Sequence, residues 1–116
     1  MSNIVYKIVP TSLWQDARKK GVFGGAPIDL NDGYIHFSTA AQARETARLH
    51  FAGADDLTLV AVDGEVLGPA ALKFEPSRNG DLFPHLYAAL PLDAVVWERL
   101  LPLGSDGLHL FPEDMQ

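Results

Sequence analysis

Apolar and polar positions in the first part of the chain change from a strand pattern to a helix pattern. Ile4–Val9 is a run of β-branched and aromatic residues that Pro10 closes, which predicts a strand. Ser12 and Gln15 have the spacing of a capping box, so a helix is predicted to start here. Gly21 is suited to the position after its last turn. The chain is therefore expected to begin with a strand followed directly by a helix.

The segment after this helix predicts a loop, a short strand and a second helix. Val22–Gly33 contains clustered glycine, proline, asparagine and aspartate and is expected to be a loop. Tyr34–Phe37 predicts a short strand. Thr39 and Gln42 repeat the capping-box spacing, and apolar residues four positions apart follow them. A second helix is therefore predicted over Ala40–Phe51.

Strand patterns dominate the second half of the chain. Strands are expected at four places: Leu57–Val62, Ala71–Phe74, His85–Ala88 and Val95–Leu101. Glu75–Pro84 is polar and rich in turn residues, which predicts a loop. Helices in the first half followed by strands in the second are typical of the α+β class. We therefore expect residues 1–116 to form one small domain, in which two helices pack on a curved, mostly antiparallel sheet.

Composition and charge narrow the classes of function. The chain has 116 residues, of which 47% are hydrophobic, which suits one core and one domain. It has no cysteine, and no two histidines lie four positions apart as in helical metal sites, so no metal site is predicted. A net charge of −6 disfavours non-specific binding to nucleic acid. Neither a long apolar stretch nor a signal-peptide pattern is present, so a soluble, cytoplasmic protein without a membrane partner is expected.

The first segment with candidate chemistry is the strand-to-helix junction Tyr34–Thr39. His36 lies inside an apolar strand pattern, and Ser38 and Thr39 follow it at the start of the predicted helix. An imidazole, two hydroxyls and a helix N-terminus together favour an anion such as phosphate. Helix capping by Thr39 and a hydrogen-bonded core position for His36 would explain the same residues without a function. Both interpretations are open at this point.

Two later segments carry further candidates. Arg78 is suited to hold a phosphate or carboxylate through two hydrogen bonds, and Glu75 is suited to orient a sugar hydroxyl or act as a base. His85 and Tyr87 are two positions apart and would project to the same face of a strand, where they would stack against a planar ring. A solvated Glu–Arg pair and a pair of side chains sealing the core are the corresponding structural interpretations.

These segments, together with Leu13-Trp14, resemble a bacterial family of unknown function, the domain-of-unknown-function family nine-fifty-two. The resemblance covers nearly the whole chain and is carried by short motifs in order: Tyr6-Lys7-Ile8, Gly33–Thr39, Glu75–Arg78 and Phe83–Tyr87. The family is in turn remotely similar to the ADP-ribosyltransferase superfamily, which includes RNA 2′-phosphotransferases that use NAD. Ile35–Ser38 looks like the strand of that superfamily that reads roughly Val-His-Leu-Ser before a helix.

The resemblance implies a split, curved ADP-ribosyltransferase-like sheet with a cleft that binds NAD or an ADP-ribose-like nucleotide. It implies that His36 anchors a ribose or phosphate with support from Ser38 and Thr39, and that Tyr87 stacks on a ring. Glu75 or Arg78 would contact sugar or phosphate. The first strand departs from the superfamily, because it lacks the His-Gly-Thr or Arg that holds the nicotinamide ribose. Glu75 and Glu98 are the two candidates for the catalytic glutamate.

Two other functions remain open from the sequence. A phosphoesterase with paired His-x-Ser/Thr motifs is matched by His36–Ser38, whereas His85–Tyr87 departs from the second motif. A non-catalytic module that binds a small ligand or a protein is the other alternative. The sequence determines neither the oligomeric state nor the direction of Lys7, which alternates with Tyr6 along the first strand.

Overall fold

The fold consists of an antiparallel framework of strands with short helices between them. The computed structural model describes residues 3–115, apart from the side chain of Arg78. The strands are β1 (Ile4–Pro10), β2 (Val22–Phe23), β3 (Ile35–His36), β4 (Leu57–Asp63), β5 (Leu72–Pro76), β6 (Leu82–Leu86), β7 (Leu90–Pro91) and β8 (Val95–Leu101). The helices are α1 (Thr11–Lys20), α2 (Pro27–Asp32), α3 (Ala40–His50) and α4 (Gly64–Leu67), and 3-10 turns occupy Arg78–Gly80 and Leu92–Ala94. No helix within residues 3–115 is long and apolar enough to cross a membrane.

Two three-stranded sheets separate at residues 37–38, and this point is called the fork below. One sheet has the order β1-β4-β8 and the other the order β3-β6-β5, while β2 and β7 form a separate ribbon. The amide of Phe37 donates to the carbonyl of Pro84 in β6, at 2.9 Å. The next residue, Ser38, exchanges two hydrogen bonds of 2.8 Å with Tyr6 in β1. The chain therefore changes partner between Phe37 and Ser38, and the two sheets diverge from this point.

Strands β1 and β4 of the first sheet are buried on both faces. Side chains alternate across a strand, so Val5 and Val9 enter one apolar cluster and Tyr6 and Ile8 enter another. Helix α1 packs in the first cluster through Trp14, and α3 packs in the second through Ala47. This double burial is why the sequence of β1 is apolar almost throughout instead of alternating.

Several sequence predictions are confirmed. The chain is a small α+β domain, and the predicted strands near residues 4–9 and 57–62 and at Val95–Leu101 are present. Helix α3 begins and ends within one residue of its prediction. At its start, the Thr39 amide donates to Gln42 Oε1 at 3.0 Å, which completes the capping box. Gly21 ends α1 in the left-handed conformation, with φ at 84°.

The prediction of two helices was wrong, because there are four in the described chain. The segment Val22–Gly33, expected to be a loop, contains β2 and α2. Pro27 occupies the first turn of α2, where its missing amide hydrogen costs nothing. Asp29 is the one buried residue of this six-residue helix. A helix that buries a carboxylate has no apolar stripe, so the periodicity of the sequence contained no signal for it.

Three element boundaries also differ from their predictions. Helix α1 begins at Thr11 with Pro10 before it, and no side chain caps it, so the capping box of Ser12 and Gln15 was wrong. The loop expected over Glu75–Pro84 is interrupted, because β5 continues to Pro76 and β6 starts at Leu82. The strand expected at His85–Ala88 therefore lies earlier in the chain. Pro84 is buried in a strand with a neighbour on each side, which is a position that proline normally avoids.

Gly64, at the start of α4, provides a test of the packing between β1, β4 and β5. A Cβ at this position would lie 2.7 Å from the backbone oxygen of Asn3 and 2.9 Å from a methyl group of Leu72. We expect Gly64→Ala to lower the free energy of unfolding by about 1–3 kcal/mol, because the backbone cannot move aside without strain. Chemical unfolding measures this. Gly24→Ala is the matched control, since its Cβ would meet nothing within 4 Å, and equal stability of the two variants would contradict the prediction.

Candidate active site at the fork between the sheets

A cavity of about 510 Å³ lies where β1 and β3 separate. Its walls come from β1, the segment 34–38, α3, β6 and one side of α2. The polar side chains at the cavity include Lys7, Asp32, Tyr34, His36, Ser38 and His85. Strand register explains part of this grouping, because His36 of β3 pairs directly with His85 of β6. Directly opposed residues of an antiparallel pair point to the same face of a sheet, so both imidazoles lie on one side.

The carboxylate of Asp29 is buried and joins three elements at the edge of this cavity. Its two oxygens accept from Lys7 Nζ in β1, at 2.9 and 3.0 Å. Its Oδ1 also accepts from the backbone amide of His36 at 3.1 Å and lies 2.7 Å from the Nδ1 atom of the same residue. Its Oδ2 accepts from the amide of Ala26 at 2.7 Å, which closes the first turn of α2. This one side chain therefore binds α2 to both β1 and β3.

The surroundings of Asp29 keep it ionised and leave Lys7 poorly solvated. Burial alone raises the pKa of Asp29, but the hydrogen bond from His36, the charge and hydrogen bond of Lys7 and the amide of Ala26 together lower it from 3.8 to about 2. The pKa of Lys7 is lowered by burial, and the attraction of Asp29 opposes that shift. The buried pair depends on its hydrogen bonds, because neither charge has solvent to replace its partner.

His36 is held between two carboxylates. Its Nδ1 lies 2.7 Å from Asp29 Oδ1, and its Nε2 lies 2.9 Å from Asp32 Oδ2. An ionised carboxylate only accepts hydrogen bonds, so both contacts are hydrogen bonds only when the ring carries a proton on each nitrogen. In this arrangement neither nitrogen of His36 has a lone pair available to take a proton from a ligand.

His85 has the opposite environment. Its Nδ1 lies 2.8 Å from Glu75 Oε1, and the same oxygen accepts from the hydroxyl of Tyr87 at 2.7 Å. The side chain is 5% exposed, and no described residue forms a hydrogen bond with its Nε2. With Glu75 ionised, Nδ1 carries the proton and Nε2 presents a lone pair when the ring is neutral. Of the cross-strand pair, His85 is therefore the histidine with a nitrogen that no described side chain bonds.

Glu75 and Tyr87 change each other's ionisation. The hydrogen bond from Tyr87, followed by that of His85, lowers the pKa of Glu75. In return the hydrogen bond to Glu75 raises the pKa of Tyr87 to about 12. Glu75 therefore stays an acceptor, and Tyr87 stays a donor over the physiological pH range. Both roles keep the Nδ1 proton of His85 in place.

The ring of Tyr34 packs against both His36 and His85. Its ring stacks on that of His85, with centroids 4.1 Å apart and planes inclined by 29°. It also lies at a tilt to His36, at 4.6 Å, and to Tyr87, at 5.3 Å. The result is an aromatic surface beside the cavity, with carboxylates at its edges.

The structure brings together most of the residues that the sequence singled out. His36, Ser38 and His85 line the cavity, while Glu75 contacts His85 and accepts a hydrogen bond from Tyr87. The Ser38 hydroxyl is buried and bonds that of Thr46 at 3.0 Å.

Two predicted residues stand apart from this group. Thr39 caps α3, which is the structural interpretation of that residue. Arg78 lies in a 3-10 turn, and the placement of its side chain is outside the described part of the chain.

Sequence reasoning missed Asp29, Asp32 and Tyr34, and it left the direction of Lys7 open. Asp29 and Asp32 lay in what looked like a turn-rich loop, where acidic residues are ordinary. The available signal was Lys7 itself, since a lysine inside an apolar strand needs a buried partner. The partner is 22 residues away in the chain, so no local pattern identified it.

Comparisons with known proteins agree with this fold. A family model described as "Protein of unknown function (DUF952)" matches residues 8–98. The chain is similar to protein CC0527 from Caulobacter crescentus, whose X-ray crystal structure has 44% sequence identity and a TM-score of 0.88, over 93% of this chain and 94% of that one. A solution NMR structure of CC0527 gives 45% identity and a TM-score of 0.82, over 90% of each chain. No curated protein matches the chain.

Removal of the Asp29 charge should destabilise the domain far more than removal of the Asp32 charge. In Asp29→Asn, Lys7 and His36 lose a buried acceptor, and we expect a cost of about 3–5 kcal/mol. Asp32 is about one-third exposed, so Asp32→Asn should cost less than about 1 kcal/mol. Urea unfolding of both variants at neutral pH measures the difference. Equal costs would show that Asp29 does not hold the three elements together.

Asp29 should also make stability depend on pH. Its pKa is lowered from 3.8 to about 2 in the folded protein, so its contribution is present above about pH 4 and is lost as pH falls through about 2. The contribution amounts to roughly 2 kcal/mol for a shift of this size. We expect the stability difference between the wild type and Asp29→Asn to shrink by that amount between pH 5 and pH 2. A difference that stays constant over this range would contradict the assignment.

Proposed function

The chain belongs to the family of proteins of unknown function DUF952, and we propose that its cavity binds a nucleotide-like small molecule and that His85 acts as the acid–base group. ADP-ribose and NAD are the ligands that the sequence resemblance implies. In this proposal the protein is an enzyme of ADP-ribosyl type, acting at the carbon that joins a ribose to its leaving group.

The observation that carries the proposal is that His85 is held at Nδ1 while its Nε2 has no described partner. A general base needs a fixed ring, a defined tautomer and an unoccupied nitrogen facing the substrate. Glu75, held in turn by Tyr87, supplies the first two requirements through its contact with Nδ1, and neither residue is among those that line the cavity. No described residue occupies the third position, the Nε2 atom. The same logic of a carboxylate behind a histidine operates in hydrolases that use His as a proton acceptor.

The remaining side chains suggest which ligands the cavity accepts. A volume of about 510 Å³ is within the range of small-molecule sites, which is roughly 300–1,000 Å³. Tyr34 offers a planar ring for a base or nicotinamide, and Asp32 offers acceptor oxygens for ribose hydroxyls. Carboxylates also stabilise the positive charge that develops on a ribosyl carbon as its bond breaks. These features support a ligand with a flat ring joined to a polyhydroxylated part.

NAD, when bound, would supply the activated ribosyl carbon, and the residues of this chain would position it. In this proposal His36 holds Asp32 in position, and His36 and Ser38 together orient the ribose of the ligand. Thr39 would contribute through the start of α3, and Arg78 would contact phosphate. The fork between β1 and β3 supports the ADP-ribosyltransferase-like interpretation of the fold, because it opens a cleft between two sheets.

A phosphoesterase is the second candidate, and one observation favours it. His36 and His85 are direct cross-strand neighbours with ring centroids 5.7 Å apart, as a pair of acid and base groups would be. Against this, both nitrogens of His36 lie against carboxylates. Hydrolysis of a cyclic phosphodiester by the wild type, lost in both His36→Gln and His85→Gln, would favour this candidate over the first.

Thermal unfolding with ADP-ribose, NAD and a panel of nucleotides tests ligand class, and release of nicotinamide tests the reaction. A ligand at about one hundred times its Kd adds about 2.7 kcal/mol of stability, which corresponds to roughly ten degrees in Tm for a domain of this size. In His85→Gln we expect the same Tm shift but at least a hundredfold slower turnover, because the proton acceptor is lost while the cavity remains. His109→Gln, at a histidine outside this cavity, is the matched control.

The outcomes separate the parts of the proposal. If no nucleotide shifts Tm, the nucleotide ligand is wrong. If a nucleotide binds the wild type without turnover, the protein is a binding module and not an enzyme. Turnover that persists in His85→Gln would remove His85 from the acid–base role while leaving the ligand class in place.

A further inference from the structure

Helix α2 buries a charged side chain and exposes apolar ones, which is the reverse of an ordinary surface helix. A helix on a globular protein normally buries apolar side chains and exposes charged ones. Of the six residues of α2, all of them described, only Asp29 is buried. Ile28 is 57% exposed and Leu30 is 70% exposed. More than half of each of these apolar side chains is exposed, so neither belongs to the buried core.

One of these two apolar side chains faces the cavity. Ile28 lines it together with Asp32, whereas Leu30 does not. Residues four apart on a helix are neighbours on one face, so Ile28 and Asp32 form a single surface, apolar at one end and acidic at the other. Their Cβ atoms are about 5–6 Å apart in such a pair.

The position of this surface is fixed from the other side of the helix. Asp29 holds α2 to β1 and β3 through Lys7 and His36. The chain before the helix also passes close by, because a Cβ on Gly25 would lie 3.0 Å from the Cβ of Asp29 at a φ of 123°. Ile28 is therefore presented to the cavity on an anchored segment and not on a free loop.

We propose that Ile28 is a specificity-determining residue of the cavity, and that it contacts the apolar face of the ligand while Asp32 accepts a hydroxyl hydrogen bond. This inference rests on the proposed function in placing the ligand in this cavity. It deepens that function by defining a ligand class, namely molecules with an apolar ring about one helical turn from a hydroxyl. Nucleosides meet this description, whereas inorganic phosphate and simple sugars do not.

The test uses a neutral apolar dye, N-phenyl-1-naphthylamine, and adenosine as separate probes of the full-length protein. Dye fluorescence reports on an apolar wall whether or not a nucleotide binds. In Ile28→Ser we expect at least a tenfold weaker affinity for both probes. Ile28→Val should restore most of it, because the apolar contact returns. Leu30→Ser is the matched control, since it removes a more exposed apolar residue of the same helix that does not line the cavity.

Each outcome has a separate meaning. Equal affinities of Ile28→Ser and the wild type for the probes, or no dye binding by the wild type, would overturn the role of Ile28. An adenosine affinity that is unchanged in Ile28→Ser would overturn the role of Ile28 but would leave the proposed nucleotide ligand in place. Dye binding that depends on Ile28, without any nucleotide binding, would support the apolar wall and contradict the nucleotide. A change of oligomeric state in both serine variants, seen by sedimentation, would assign the exposed side chains to self-association and overturn the inference.

Discussion

The buried carboxylate of Asp29 is the interaction on which the candidate site depends. It neutralises Lys7 inside the first sheet, holds the backbone and ring of His36 in the second, and closes the first turn of α2. A buried ion pair is expensive to form, so its value lies in geometry more than in stability. Here that geometry brings β1 to the same edge of the cavity as α2 and β3, although Lys7 and Asp29 are 22 residues apart in the chain.

Two of the three histidines that line the cavity show how surroundings assign different roles to the same side chain. His36 and His85 are opposed across one strand pair, yet His36 has a carboxylate at each nitrogen and His85 has one at Nδ1 alone. The first arrangement immobilises a ring, and the second leaves a nitrogen for chemistry. The fold shared with CC0527 supplies the framework, but the function has to be argued from these side chains, since one framework supports many activities.

Much of the candidate site was predictable from the sequence, because its residues break the local pattern. A histidine inside an apolar strand, and a His and Tyr two positions apart, are visible without a structure. In the fold, His36, His85 and Tyr87 all lie against the ring of Tyr34. Glu75 was also identified, but as part of a loop and not of a strand. Asp29 and Asp32 could not be found in this way, since an acidic residue in a turn-rich segment breaks no pattern, and its importance comes only from burial.

The sequence by itself determined the α+β class, the long strands, the capping of α3 and the residues that the family motifs carry. These depend on neighbours within a few positions, through hydrogen bonds and the period of apolar side chains. Only the tertiary structure decided that Lys7 meets Asp29, that His36 is clamped while His85 is not, and that α2 turns Ile28 toward the cavity. The contact between Lys7 and Asp29 joins two charges that lie 22 residues apart and are buried together only by the fold, and no local segment of the sequence records that burial.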